Sequence, residues 1–148
     1  MIAALLIDLD DTLLDDRQAM AAAVLQLRER LGLSYAADSD AIAARWDAIG
    51  RSLWARCAAG EISFAEQRRA RLRETFGIAL SDQEADAVFG EYLGFYELHW
   101  QLLPGATAFL DATAHLPRAI VVLSLRQIAI ELIAAHARST GATSLFDQ

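Results

Sequence analysis

Residues 2–14, reading Ile-Ala-Ala-Leu-Leu-Ile-Asp-Leu-Asp-Asp-Thr-Leu-Leu, constrain this chain more than any other stretch. Ile2 to Ile7 is an unbroken apolar run of strand length that ends abruptly in acids. It predicts a strand buried on both faces that delivers carboxylates at its C-terminal end. In open parallel sheets, ligands bind at that end. Strand side chains alternate, so Asp8 and Asp10 leave on one side while Leu9 points to the other. Two carboxylates held so close repel, and become tolerable if a cation sits between them or if one keeps its proton. An oxygen-lined site of this kind suits Mg²⁺ better than a soft metal. The plain alternative is an acidic turn that caps a helix.

After Leu14 the hydrophobic period becomes helical. Asp15 or Asp16 caps a predicted helix running to about Gly32, with Met20, Val24, Leu27 and Leu31 on one face. A second starts near Asp38 or Ser39, carries Ile42, Trp46, Ile49, Leu53 and Cys57 inward, and ends at Gly60. Ser63-Phe64-Ala65-Glu66 and Ser81-Asp82-Gln83-Glu84 are capping boxes. They open a third helix to about Phe76 and a fourth to about Trp100, the latter with Val88, Tyr92, Phe95 and His99 on one stripe. Short connections make two helical hairpins, so residues 16–99 form a predicted bundle. Pro104 opens a further helix to about Leu116, with Phe109, Leu110, Thr113 and Leu116 inward. Ala119 to Leu123 is then a second apolar strand ending at Ser124, and a last helix spans about Arg126 to Arg138.

In a chain of 148 residues this pattern fits one small domain with an insertion. The net charge of −7 argues against nucleic acid as a partner. No apolar run reaches the roughly 20 residues a membrane span requires. The N-terminal run has no basic leader and is interrupted by Asp8 and Asp10, so no signal peptide is expected and a cytoplasmic setting is. Cys57 is alone, which excludes an internal disulfide and fits a reducing compartment. Arg68, Arg69, Arg71 and Arg73 are the one basic cluster. A substrate-anion role is the alternative, but they span two faces of a helix and read first as solvated charge. His99, His115 and His136 share no ligand spacing, and Trp46, Trp54 and Trp100 read as packing residues.

Asp8-Leu9-Asp10-Asp11-Thr12-Leu13 resembles the first motif, D-x-D-x-T, of the haloacid dehalogenase-like (HAD) superfamily. The resemblance implies a Rossmann-like α/β parallel-sheet core, with a helical bundle cap inserted directly after that motif. The core would comprise residues 1–15 and 100–148, and the cap residues 16–99. By position Asp8 is the implied nucleophile that becomes an aspartyl-phosphate, and Asp10 the acid/base. Both are implied Mg²⁺ ligands, Asp10 through its backbone carbonyl. Thr12 and Ser124, the latter matching the second motif, would position the phosphoryl group of a small phosphomonoester. Leu125-Arg126 stands where family members often carry Asn-Gly. Asp11 replaces a common glycine, although an acid is also frequent there. Trp54, Gly60-Glu61-Ile62, Arg68 and Arg69 are similar to the nucleotidase and sugar-phosphatase branch. Dehalogenase relatives lack the second acid that this chain has in Asp10.

The 13 basic residues are all arginine. The lysine of the family's third motif therefore has no counterpart, and no acidic pair follows Asp16 to match the fourth. A helix-borne arginine such as Arg126 or Arg138 reads first as a solvated charge. Two readings follow: a Mg²⁺-dependent phosphatase, or a catalytically impaired fragment or non-catalytic binding module with the same fold. An N-terminal portion of a longer enzyme, with a truncated core, is the expectation that accommodates both. Its open sheet edge would invite pairing with a second copy. A phospho-accepting receiver domain also uses strand-end acids, but the long helical stretch after the first strand argues against it.

Overall fold

The computed structural model describes residues 4–33 and 39–121. The chain forms two compact units: residues 1–15 with those from 102 onward, and Asp16–Gln101.

The first unit is α/β. Strand β1, Leu5–Asp8, pairs in parallel with β2, Arg118–Val121, in the register Leu5 with Arg118 through Asp8 with Val121. The Leu5 amide extends the ladder by donating to the Pro117 carbonyl at 2.9 Å. Parallel neighbours need a long crossover, and helix α5, Ala106–Ala112, lies within it. Ile7, Leu13 and Ala106 form its buried cluster, with Leu5, Leu9 and Leu110 packed around them. The alternation within β1 is therefore real: odd residues face α5, and even residues face away.

That alternation corrects one expectation. β1 is not buried on both faces, because Leu6 is 77% exposed. The described residues lay a helix against one face only, so the apolar run reads as two-sided while its burial is one-sided. Ile120 of β2 is likewise 46% exposed. The helix after Pro104 is also shorter than predicted, ending at Ala112. The Thr113 hydroxyl bonds back to the Phe109 carbonyl at 2.8 Å, and Arg118 Nη1 takes the Leu110 carbonyl at 2.6 Å. Side chains thus supply the terminal carbonyls with partners, and the helix stops. Phe109, placed inward from periodicity, is 41% exposed.

The second unit is an all-helical bundle of α1 (Asp16–Arg30), α2 (Ser39–Ala58), α3 (Phe64–Phe76) and α4 (Asp82–Leu98). Both capping boxes form. Ser63 and Ser81 each accept from the amide three residues on, while Glu66 and Glu84 reach back to the cap amides at 2.8 Å. α3 ends at Gly77, whose φ of 65° a side-chain-bearing residue adopts only at a cost.

The bundle core is aromatic. Trp46 is fully buried, with Tyr92 at 4.6 Å, Phe76 at 6.1 Å and Phe89 at 6.2 Å between ring centroids. On α1 the buried positions are Ala19, Ala23, Val24 and Leu27, small enough to admit the neighbouring helices closely, and Met20 is only half-buried. On α4 the inward stripe is Ala85, Phe89, Tyr92 and Tyr96, displaced from the predicted Val88–Phe95–His99 line. Phe89 and Tyr96 continue the ring contacts begun at Trp46 and Tyr92, and that packing fixes the helix's rotation.

The four clustered arginines are not a solvated patch. Arg69 grips Asp86 and Asp82, and Arg73 pairs with Asp82, joining α3 to α4. Arg68 lies over the Phe64 ring at 4.3 Å, and Arg71 turns into the bundle over Trp46, also at 4.3 Å. No helix among the described residues is long and apolar enough to cross a membrane.

Candidate active site

The acids of residues 8–12 sit on a turn built from one carbonyl. The amides of Thr12, Leu13 and Leu14 all donate to Leu9 O, at 3.3, 3.0 and 3.0 Å. This winds the chain sharply at the C-terminal end of β1. Leu13 and Leu14 are buried beneath the turn, and the Leu103 amide donates to the Leu13 carbonyl at 2.8 Å. Leu14 also bridges to Asp10 and to Leu102. The turn is thus clamped from below by apolar side chains and from the side by the returning chain. Its upper residues remain accessible: Asp8 and Asp10 are half-buried, and Asp11 and Thr12 are exposed.

Asp8 ends β1 on the Leu6 side of the sheet, the side α5 does not cover. The Thr12 hydroxyl lies 3.4 Å from Asp8 Oδ2, a long and therefore weak hydrogen bond that still sets the two groups side by side. Leu9 packs into the α5 cluster, as its alternate position requires. Asp10 follows at the start of the turn. The structure therefore gathers three of the four residues singled out from sequence, Asp8, Asp10 and Thr12, in one short loop. Ser124, the fourth, lies outside the described residues, as do the end of the second strand, the predicted helix over Arg126–Arg138, and Asp38.

Asp11 carries a feature that sequence reasoning did not predict. Its φ is 54°, the one positive value among described residues other than glycine. This left-handed conformation is what a glycine at that position would supply most easily, and aspartate is among the few other residues that tolerate it. The loop's geometry accounts for the residue types that fit there.

Among the described residues no group of three or more His, Cys, Asp or Glu side chains is arranged to hold a metal ion. Asp8 and Asp10 offer hard oxygen donors at this turn. That donor set is short for Ca²⁺ but sufficient in kind for Mg²⁺, which keeps several waters and takes one or two carboxylates together with substrate oxygens. A carboxylate at the strand end is also a competent nucleophile toward an electrophilic centre, if a neighbouring acid can shuttle the proton.

The sequence profile of the haloacid dehalogenase-like hydrolases matches residues 2–146. No curated protein matches. Among solved structures, YfnB from Bacillus subtilis, assigned as a HAD-hydrolase and bound to magnesium, aligns with a TM-score of 0.70 at 23% identity. That alignment covers 94% of this chain and 58% of YfnB. The L-2-haloacid dehalogenase of Xanthobacter autotrophicus, with chloropropionic acid covalently bound, aligns at 0.58 and 22% identity, over 99% of this chain and 55% of that enzyme. A second structure of the same dehalogenase gives 0.58 at 23% identity, with the same coverage. The chain spans a little over half the length of these structures, and at such identities the likeness speaks to fold.

Proposed function

The chain belongs to the haloacid dehalogenase-like hydrolases, and on that premise we propose that it is built for Mg²⁺-dependent hydrolysis of a small phosphomonoester, with a nucleotide or sugar phosphate as the substrate class. The observation that carries the proposal is the clamped turn. It presents Asp8 at the strand end with the Thr12 hydroxyl at 3.4 Å, and Asp10 two residues on.

In this scheme an Asp8 carboxylate oxygen attacks phosphorus, and the bond to the ester oxygen breaks. Asp10 gives its proton to the leaving alkoxide and is left as a carboxylate. It then takes a proton from water, which attacks the aspartyl-phosphate and releases inorganic phosphate, restoring Asp8. Thr12 and Ser124 orient the phosphoryl oxygens. The Asp8 carboxylate and the Asp10 backbone carbonyl would hold Mg²⁺, which when bound offsets the negative charge of the phosphoryl group. Two carboxylates with separate duties explain why a second acid is needed. A halide leaves without taking a proton whereas an alkoxide needs one, so an acid at Asp10 favours the phosphatase over the haloacid reaction that one structural neighbour catalyses.

A second reading has its own observation. The chain has no lysine, and among the described residues no three acids are arranged to hold a metal ion. A catalytically impaired form, or a binding module of the same fold, would show this composition. Pairing with a second copy through the sheet edge is a proposal that accompanies it.

Hydrolysis of p-nitrophenyl phosphate by these 148 residues, with and without Mg²⁺, tests the phosphatase, with 2-chloropropionate as the competing substrate. Mg²⁺-dependent release of p-nitrophenol supports it. Chloride release without phosphatase activity would support the dehalogenase. A folded chain inert to both would support the binding module.

A further inference from the structure

Among the arginines of the helical unit, Arg71 is turned into the bundle. Arg71, on α3, lays its guanidinium over the Trp46 ring at 4.3 Å. Its Nε donates to the Trp46 carbonyl at 3.2 Å, and its Nη2 lies 3.4 Å from the Met20 sulfur. The berth exists because residue 50 is glycine: a Cβ there would stand 2.5 Å from the guanidinium carbon. Indole, sulfur and a bare stretch of α2 thus fix three sides of the group.

What this setting lacks is a counter-ion. The described ion pairs of this unit involve Arg30, Arg51, Arg56, Arg69 and Arg73, and Arg71 is in none of them. Burial works against its charge, while Tyr92, Asp47 and Asp16 favour it only from a distance. An interior guanidinium without a partner is costly, and proteins ordinarily provide a carboxylate. Here Nη1 makes no hydrogen bond with the described residues, and the side chain is not sealed from solvent. A planar fork with one edge open is the geometry that takes an oxyanion.

We propose that the helical unit carries an oxyanion site of its own, in which Arg71, seated by Trp46 and Gly50, binds the phosphate or carboxylate group of a small molecule through its open edge. Trp46 and Gly50 act by position, and Arg71 supplies the charge. The site uses none of the residues of the 8–12 turn, so it stands or falls separately from the phosphatase proposal.

Calorimetric titration of the full 148-residue chain with inorganic phosphate, and separately with malonate, at constant ionic strength, tests this. Saturable binding of at least one anion is expected, persisting in Asp8→Ala. Binding should weaken at least about tenfold in Arg71→Met, as loss of a charge-assisted hydrogen bond predicts. Gly50→Ala, which keeps the charge but displaces the guanidinium, should weaken it similarly, and it decides the matter if Arg71→Met fails to fold. Phosphate alone binding would assign a phosphate ester, and malonate alone a carboxylate. No saturable binding of either anion would overturn the proposal. So would binding that Asp8→Ala abolishes, or binding that survives both Arg71→Met and Gly50→Ala.

Discussion

Thr12 places its hydroxyl 3.4 Å from Oδ2 of Asp8, four residues back along the chain. The contact spans a turn whose three inner amides share the Leu9 carbonyl, so neither group is free to drift. At that length the hydrogen bond does little for stability, which leaves positioning as its use. Thr12→Val should therefore leave the melting temperature nearly unchanged and lower kcat by about tenfold, the worth of one modest hydrogen bond in the transition state. Steady-state kinetics beside a thermal melt checks both halves.

Asp11 sits at φ 54° on the same turn. A glycine reaches this conformation without penalty, while a β-branched residue does so at a cost of about 1–2 kcal/mol. Asp11→Gly should fold with equal or slightly greater stability, and Asp11→Val should lose about 1–2 kcal/mol in urea denaturation. Equal stability of the two variants would show that the left-handed turn is not what residue 11 serves.

Trp46 is fully buried, with three aromatic rings and the Arg71 guanidinium against it. Trp46→Ala should cost about 3–5 kcal/mol, enough to unfold a marginal bundle. Ser63→Ala removes one capping box and should cost only about 1 kcal/mol. The contrast between the two in denaturant melts separates core packing from end capping.

Stability should fall at both ends of the pH range. Glu66 and Glu84 are held below the usual carboxylate range by hydrogen bonds from Ser63 and Ser81, Asp82 by Arg73, and Asp86 by Arg69. Groups depressed on folding contribute stability above their unfolded pKa, near 4, and lose it as pH drops further. All four are exposed, so the loss is small and weakens in salt. Tyr92 behaves oppositely: burial pushes it up to about 12. Its stability is complete below the unfolded value near 10 and is lost between about pH 10 and 12, by about 2–3 kcal/mol. Melts across both windows, repeated with Tyr92→Phe, test the assignment. The variant should flatten the alkaline decline alone.

Much of this molecule was legible in its residues because local rules and tertiary packing agree there. Ser63–Glu66 and Ser81–Glu84 announce helix starts that form as read, and the Ile42–Trp46–Leu53 line faces inward as spaced. The 8–12 loop was legible because an apolar run ending in acids has few other uses. The failures came where partners distant in sequence decide. Leu6 is apolar yet exposed, because burial of a strand depends on what covers each face. The α4 stripe is rotated because the Trp46 ring on α2 draws Phe89 and Tyr92 inward. Arg71 reads as one more solvated arginine until Gly50, 21 positions earlier, is seen to leave room for it. Sequence spacing carries no trace of that pairing.

The central claim is that Asp8 accepts the phosphoryl group. Mass spectrometry of the chain, acid-quenched after incubation with a phosphomonoester and Mg²⁺, tests it most directly. One added phosphoryl group mapping to Asp8, accumulating in Asp10→Asn where its hydrolysis is blocked and missing from Asp8→Asn, is the predicted result. A folded chain that carries no adduct, or carries it on another residue, would contradict the account.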